Sequence, residues 1–258
     1  MTRFLTLLAA TALSVPAFVQ TALAQTPAAD AWEDILETRL SAPDAQTGLI
    51  RFDYAGFSSN AAEMAALDGY IAELAATPEP ENDADAAAYW ANLYNAVTID
   101  VVADNYPVDS IREIKSGAFS IGPWKRKVVT VGGEELSLDN IEHDILRVRY
   151  SSPLIHYMVN CASVGCPNLQ PRLWEGATLD ADRDRAAREF VNSPRGVRFD
   201  GDKVEVSSIY KWFDEDFGGS RESVIDHIRQ YADDDLAARL QGVRKYNSHD
   251  YDWSLNAR

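Results

Sequence analysis

The pattern of apolar and polar residues predicts a mainly helical chain. Its clearest segment is 84–104, which is apolar on most of its sides and is followed by Asn105, Tyr106 and Pro107. An apolar surface all round is typical of a helix at the centre of a fold, and a proline marks where a helix stops. Further helices are predicted at 32–40, 60–75, 139–149, 180–191, 209–217 and 221–231.

Short strands are predicted between these helices. One β-hairpin is expected over 125–138, turning at Gly132 and Gly133, and a second over 197–206. The apolar run 154–159 has the length of a buried strand. Helices interrupted by hairpins, without a βαβ rhythm, indicate an α+β fold. We therefore expect a mainly helical single domain with short β-hairpins and a buried strand leading into the cysteine loop.

The first residues read as a targeting signal. Arg3 is the only charge in residues 1–24, an apolar run follows it, and the segment ends in the small-x-small pattern of a cleavage site after Ala24. We expect a signal peptide at 1–24, a linker at 25–30, and one globular domain over 31–258 that ends in an extended tail. The predicted location is periplasmic or secreted, and no later stretch is long and apolar enough for a transmembrane segment.

The charge balance narrows the range of partners. The chain carries a formal net charge of −16 at pH 7, which argues against nucleic acid because phosphate-rich surfaces are bound through lysine and arginine patches. No phosphate-binding glycine loop and no other cofactor motif is present, so no cofactor is predicted. The expected partner is a small molecule or a peptide, and the oligomeric state stays open.

Two asparagines stand out in the central helix. Asn92 and Asn95 are three residues apart and so lie on one stripe. A buried amide costs free energy unless its hydrogen bonds are satisfied. Either these side chains bond the backbone of a neighbouring loop, or they line a binding site.

Both cysteines of the chain, Cys161 and Cys166, lie in one short stretch just after His156. Paired cysteines in an exported protein tend to be oxidised, and a disulfide here would fix the shape of the loop. Alternatively Cys161 is a nucleophile, with His156 or His143 as its base. A zinc site built from these four side chains matches no common zinc spacing, so no metal is predicted.

Four ordered motifs resemble one known family. They are AYWANLYNAVTI at 88–99, ELSLDNIEH at 135–143, NCASVGCP at 160–167 and YDWSLN at 251–256. Together they resemble the domain of unknown function 547, which occurs in secreted bacterial proteins and in plant proteins after a leucine-zipper region. The resemblance covers about 84–256 and implies no established reaction. Where it leads us to expect Asp-Pro-Arg, this chain has Ser152, Pro153 and Leu154.

Two functions are therefore considered. The first is a Cys/His-dependent hydrolase or acyl transferase acting on an amide, peptide or thioester. The alternative is a non-enzymatic binding or scaffold module in which Cys161 and Cys166 form a structural disulfide, and whether the protein is an enzyme stays open. The candidate catalytic residues are Cys161, His156, His143 and Glu142. The candidate binding residues are Asn92, Asn95, Asn160, Ser163, Cys166 and Trp253.

Overall fold

The computed structural model describes residues 26–117 and 120–258, and the predicted signal peptide lies outside these ranges. The α-helices are α1 (Pro27–Arg39), α2 (Tyr54–Ser58), α3 (Ala61–Ala76), α4 (Asp83–Ala103), α5 (Arg147–Tyr150), α6 (Leu179–Val191), α7 (Ile209–Trp212), α8 (Arg221–Tyr231) and α9 (Asp234–Arg239). The strands are β1 (Lys127–Val131), β2 (Glu134–Ser137), β3 (Val197–Asp200), β4 (Lys203–Ser207) and β5 (Ser248–Asp250). A π-helix spans Asn140–Leu146, and 3₁₀ turns span Ile111–Glu113, Pro153–Tyr157 and Asp214–Phe217.

The strands form two small sheets, and both predicted hairpins are present. Strands β1 and β2 pair antiparallel, as do β3 and β4. Strand β5 joins the second sheet parallel to β4, with Ser248 opposite Glu205. The predicted mainly helical α+β class is confirmed. Within the described ranges, no helix has both the length and the apolar character needed to cross a bilayer.

Helix α4 runs through the centre of the molecule, as its sequence predicts. The Asn82 side chain caps it by accepting hydrogen bonds from the Ala84 and Asp85 N–H groups. Almost every later side chain of the helix is buried. The hydrophobic core is one cluster that extends from Ala29 in α1 to Leu255 near the C-terminus.

Helix α1 begins earlier than the sequence suggested. Its first residue is Pro27, inside the predicted linker, and Ala29 is completely buried. The Thr26 side chain accepts a hydrogen bond from the Ala29 N–H. A capping hydroxyl followed by proline at the first helical position starts a helix well. Residues 27–30 are therefore part of the folded domain.

The strand predicted at 154–159 is wrong. The chain forms a 3₁₀ helix over Pro153–Tyr157, and the Ser152 hydroxyl accepts a hydrogen bond from the Leu154 N–H at its start. Pro153 fixes a helical φ angle and carries no N–H for a strand ladder. The segment is nevertheless buried, as its apolar composition predicts. Hydrophobicity thus gave the location of this segment but not its conformation.

The C-terminal tail crosses the cysteine loop. The N–H groups of Val164 and Gly165 donate to the carbonyls of Ser254 and Asp252, both at 2.8 Å. A side chain at Gly165 would collide with the Tyr251 ring, since a Cβ there would lie 2.8 Å from it. The tail continues to the N-terminal part of the domain, where the Phe52 N–H donates to the Asn256 carbonyl. These bonds place Tyr251 and Trp253 beside the loop.

Candidate functional site

Cys161 and Cys166 are joined by a disulfide, with their Cα atoms 6.3 Å apart. Both cysteines of the chain are used in this bond, so neither provides a thiolate in this state. The bond closes a very short loop, for which chain entropy gives a stabilisation of at most about 2 kcal/mol. Its main consequence is therefore a fixed loop shape.

The side chain of Asn160 holds the backbone of the same loop through hydrogen bonds. Its side-chain oxygen accepts from the Ala162 N–H at 2.9 Å, and its amide group donates to the Pro167 carbonyl at 2.7 Å. Ala162 has a φ of 59°, a left-handed conformation that is uncommon outside glycine. The Asn160 side chain thus joins the two ends of the loop and holds this conformation.

Two hydroxyl groups contact the disulfide. The Tyr251 hydroxyl lies 3.0 Å from the Cys161 Sγ and 3.1 Å from the Cys166 Sγ. The Ser163 hydroxyl lies 2.8 Å from the Tyr251 hydroxyl and 3.1 Å from the Cys161 Sγ. Burial raises the pKa of Tyr251 above its usual range. Because the sulfurs of a disulfide carry no hydrogen, the hydroxyls of Tyr251 and Ser163 are the groups that can donate in these contacts.

The disulfide forms part of the wall of a cavity of about 180 Å³. Most of the remaining wall is apolar, which is usual for a small-molecule site. Val159, Pro167 and Ile209 contribute aliphatic surface. The aromatic side chains that line the cavity are Tyr94, Trp124, Trp212, Phe213, Tyr251 and Trp253.

Trp253 is at the centre of this aromatic wall. The centroid of its ring lies 4.6 Å from that of Tyr251, 5.5 Å from that of Trp212 and 5.6 Å from that of Trp124. The Ser110 hydroxyl donates to the Trp253 carbonyl at 2.7 Å, which fixes the backbone at this point. Trp212 is 46% exposed, so the wall reaches the protein surface.

The polar part of the wall comes from the start of the π-helix. Glu142 is buried, whereas about a third of the His143 side chain is exposed. The His143 ring nitrogens lie 3.8 Å from an Asp139 oxygen and 3.9 Å from a Glu142 oxygen, too far for hydrogen bonds. Among the residues that the structure describes, its Nδ1 has no hydrogen-bond partner. Burial raises the pKa of Asp139. Burial and the Glu142 carboxylate raise the pKa of Tyr94.

His156 lies on another side of the cavity and is held through its Nε2. Its Nε2 lies 2.7 Å from an Asp216 oxygen, and Arg147 binds the same carboxylate through two nitrogens at 2.6 and 3.2 Å. Hydrogen bonds from His156 and Arg147 hold the pKa of Asp216 well below its usual range. The imidazole stacks on Phe213 with the centroids 4.4 Å apart. This side chain is a structural element of the wall.

Asn92 and Asn95 do not line the cavity. Asn92 exchanges two hydrogen bonds with the backbone of Trp174, both 2.9 Å long. Asn95 donates to the Met158 carbonyl and accepts from the Asn160 N–H. The two amides therefore attach loops to the central helix, which is the structural alternative for these residues.

Six of the ten candidate residues line the cavity: Cys161, Cys166, Glu142, His143, His156 and Trp253. Ser163 lies against the sulfurs, and Asn92, Asn95 and Asn160 hold the surrounding backbone. The candidates did not include Tyr251, although it belongs to the same YDWSLN motif as Trp253. Trp124, Trp212 and Phe213 carried no sequence signal of their own, since only the fold brings them to this wall.

Comparison with known families gives a match in this part of the chain. Residues 78–191 match the family described as "Protein of unknown function, DUF547". Neither the comparison with curated proteins nor that with solved structures gives a match. The match includes the central helix, the π-helix and the cysteine loop, and it ends before Tyr251 and Trp253. Residues 78–191 thus belong to the DUF547 family.

Proposed function

We propose that this protein is a binding module that holds a small ligand in the aromatic cavity, with the Cys161–Cys166 disulfide as a structural part of the wall. The observation that carries the proposal is that the candidate nucleophile Cys161 is bonded to Cys166 where both face this cavity. A bonded sulfur offers apolar surface and a fixed loop, whereas covalent catalysis requires a thiolate.

The cavity has the composition of a ligand site. Aromatic rings bury a large area while few rotatable bonds lose freedom, so they contribute much of the energy of binding. The polar groups Asp139, Glu142 and His143 are gathered at one part of the wall and would fix the orientation of a ligand. A volume of about 180 Å³ suits a small molecule or a single side chain of a peptide.

The test is a ligand screen followed by tryptophan fluorescence. Three of the six tryptophans, Trp124, Trp212 and Trp253, line the cavity, so binding there changes the emission. We expect hits from a library of neutral, cationic and anionic small compounds that bind the wild type but not Trp253→Leu. Val148→Ala is the control, because Val148 is an exposed apolar residue outside the cavity. A library in which no compound depends on Trp253 would overturn the proposal.

A second function has one observation in its favour. Cys161, His143 and Glu142 all line the same cavity, so a dithiol reductant that opened the disulfide would leave a thiol in the company of a base. This is the Cys/His-dependent hydrolase or acyl transferase. The test is iodoacetamide labelling of the native protein across pH, with each cysteine followed by mass spectrometry. Fast labelling of Cys161 below about pH 7, in the native protein or once a dithiol has opened the disulfide, supports the enzyme. Labelling that still requires a pH above about 8 after reduction supports the binding module.

The proposed location is the periplasm or the exterior of the cell. A disulfide persists in such oxidising compartments and is rare in the cytosol. Cell fractionation of a tagged chain, combined with mass spectrometry of its N-terminus, tests both the location and cleavage after Ala24. Recovery of uncleaved chain in the cytosol would contradict this proposal.

A further inference from the structure

We propose that the ligand of this cavity is a small cation with an apolar body, of the substituted-ammonium class. This inference rests on the proposed binding function and names the chemistry of its ligand. Among the described residues that line the cavity there are two carboxylates, Asp139 and Glu142, and neither lysine nor arginine. Aromatic rings with nearby carboxylates are the combination that recognises ammonium groups.

The aromatic part of the wall already attracts cations from outside the cavity. The Arg112 guanidinium lies 5.1 Å from the centroid of the Trp253 ring, and the Arg147 guanidinium lies 4.7 Å from that of Phe213. Neither arginine lines the cavity. The negative face of a tryptophan ring is the strongest aromatic partner for a cation. The cavity offers three tryptophans, and Trp253 touches the other two.

The two carboxylates lack a cationic partner, in contrast to the third carboxylate of this region. Asp216 is held by both Arg147 and His156. Within residues 26–117 and 120–258, no lysine or arginine nitrogen lies within 4.0 Å of Asp139 or Glu142. His143 lies within that distance of both, and the charge of Lys125 acts on Asp139 from farther away. Glu142 is buried beside the Tyr94 side chain, and a buried carboxylate without a full opposite charge is costly, so an opposite charge close to it relieves this cost. A cation in the cavity would supply that charge.

The whole molecule favours the approach of a cation. Its net charge of −16 creates a negative potential that raises the local concentration of positive ligands. Arg195, which lies behind the disulfide, is engaged with the backbone carbonyls of Val164 and Cys166 and does not line the cavity. Arg112, Arg147, Arg195 and Lys125 are near the site, but none of them lines the cavity, although the charge of Lys125 acts on Asp139.

The experiment compares two probes of the same shape and different charge. Choline carries a trimethylammonium group, and 3,3-dimethylbutan-1-ol replaces its nitrogen with carbon. We expect the wild type to bind choline about tenfold more tightly than the neutral alcohol, as measured by tryptophan fluorescence and calorimetry. Glu142→Gln should reduce this preference several-fold, whereas Glu37→Gln, which removes an exposed carboxylate on α1, should leave it unchanged.

A second variant covers the case in which Glu142→Gln does not fold. Trp212 is 46% exposed, so Trp212→Leu is expected to keep the fold and still reduce the preference for choline. If both probes bind equally well and Trp253→Leu abolishes this binding, the proposal of a cationic ligand is overturned and the proposal of a binding module stands. Failure of both probes, with Trp253-dependent hits among other compounds, would also overturn only the cation. Failure of every compound would overturn both proposals.

Discussion

The cavity has two sides that contain the same type of residue in opposite states. On one side His156 is 2% exposed and bonds Asp216, which Arg147 also binds. On the other side His143 is partly exposed, and its Nδ1 makes no hydrogen bond. Phe213 packs against both imidazoles, with centroid distances of 4.4 and 5.7 Å. Apolar contact with one ring therefore does not distinguish them, and hydrogen bonding does.

This difference in hydrogen bonding separates a histidine that stabilises the fold from a histidine that is available to a ligand. A buried polar group that is paired with an opposite charge stabilises the fold, and removing that partner exposes the cost of burial. A polar group at a cavity without partners is free to serve a ligand. On this basis His156 belongs to the framework of the wall, and His143, with Asp139 and Glu142, belongs to its binding surface.

The largest expected effect follows removal of Asp216. Asp216→Ala leaves the buried His156 and the half-buried Arg147 without their acceptor, so we expect the free energy of unfolding to fall by about 3 kcal/mol in urea titrations. Asp214→Ala is the matched control, because Asp214 lies in the same 3₁₀ turn and its carboxylate pairs with the exposed Lys211. Its expected loss is below about 0.5 kcal/mol. Equal losses of stability in the two variants would show that the contacts of Asp216 with His156 and Arg147 do not stabilise the fold.

A third histidine, His227, is buried and makes the stability of the fold depend on pH. His227 is buried and bonds the Tyr157 hydroxyl at 2.8 Å, and burial followed by the charge of His156 lowers its pKa to about 4. The folded state disfavours the proton, so stability present above the unfolded pKa of about 6.5 is lost as the pH falls toward 4. We expect a loss of about 2 to 3 kcal/mol between pH 7 and pH 4 from this group.

Urea unfolding at several pH values measures this loss. His227→Gln keeps a hydrogen-bonding group but cannot accept a charge, so its stability should depend less steeply on pH than that of the wild type. Parallel curves for the two proteins would show that burial of His227 is not coupled to folding.

Removing the disulfide tests whether the cavity wall depends on the Cys161–Cys166 bond for its stability. Replacing both cysteines by serine removes the bond from a very short loop, so the expected loss of stability is at most about 2 kcal/mol. The hydroxyls of Tyr251 and Ser163 remain to bond the new side chains. Urea unfolding of the oxidised wild type is the reference. A variant that no longer unfolds cooperatively would show that the disulfide is required for the fold itself.

The smallest expected effect on stability is that of His143. His143→Ala removes a partly exposed ring whose Nδ1 has no hydrogen bond, so the free energy of unfolding should change by less than about 0.5 kcal/mol. His156→Ala, measured in the same way, should cost several times more. A loss above about 1.5 kcal/mol for His143→Ala would place this histidine in the framework and remove the contrast.

Much of the fold could be predicted from the sequence because its elements are local. Helix α4 has an apolar surface all round, and the turns of the two hairpins contain glycine, so neighbouring residues are enough to specify them. The segment 154–159 could not be assigned in this way, because a short apolar run suits a strand and a buried 3₁₀ helix equally. Ser152, which caps this segment, and Pro153 were the local signals that favoured the 3₁₀ helix.

For the candidate site, the sequence likewise located residues but did not assign their roles. The sequence located Cys161, Cys166, His143, His156 and Trp253 by residue type and motif, and all of them line the cavity. It left open the roles of the two histidines, because a role depends on partners far away in the chain. Asp216 is 60 residues from His156 and Tyr251 is 90 residues from Cys161. No periodicity or spacing encodes such contacts.

The sequence by itself thus determined the helical core, the two hairpins and the set of rare polar residues, because these follow from local propensity and from the burial of apolar side chains. Only the tertiary structure decided that the cysteines are bonded, that His156 is paired with Asp216 while His143 makes no hydrogen bond within the described residues, and that Trp124 and Trp212 pack against Trp253. The physical reason is that partners, and with them the burial and hydrogen bonding of each polar group, are set by the packing of the whole chain.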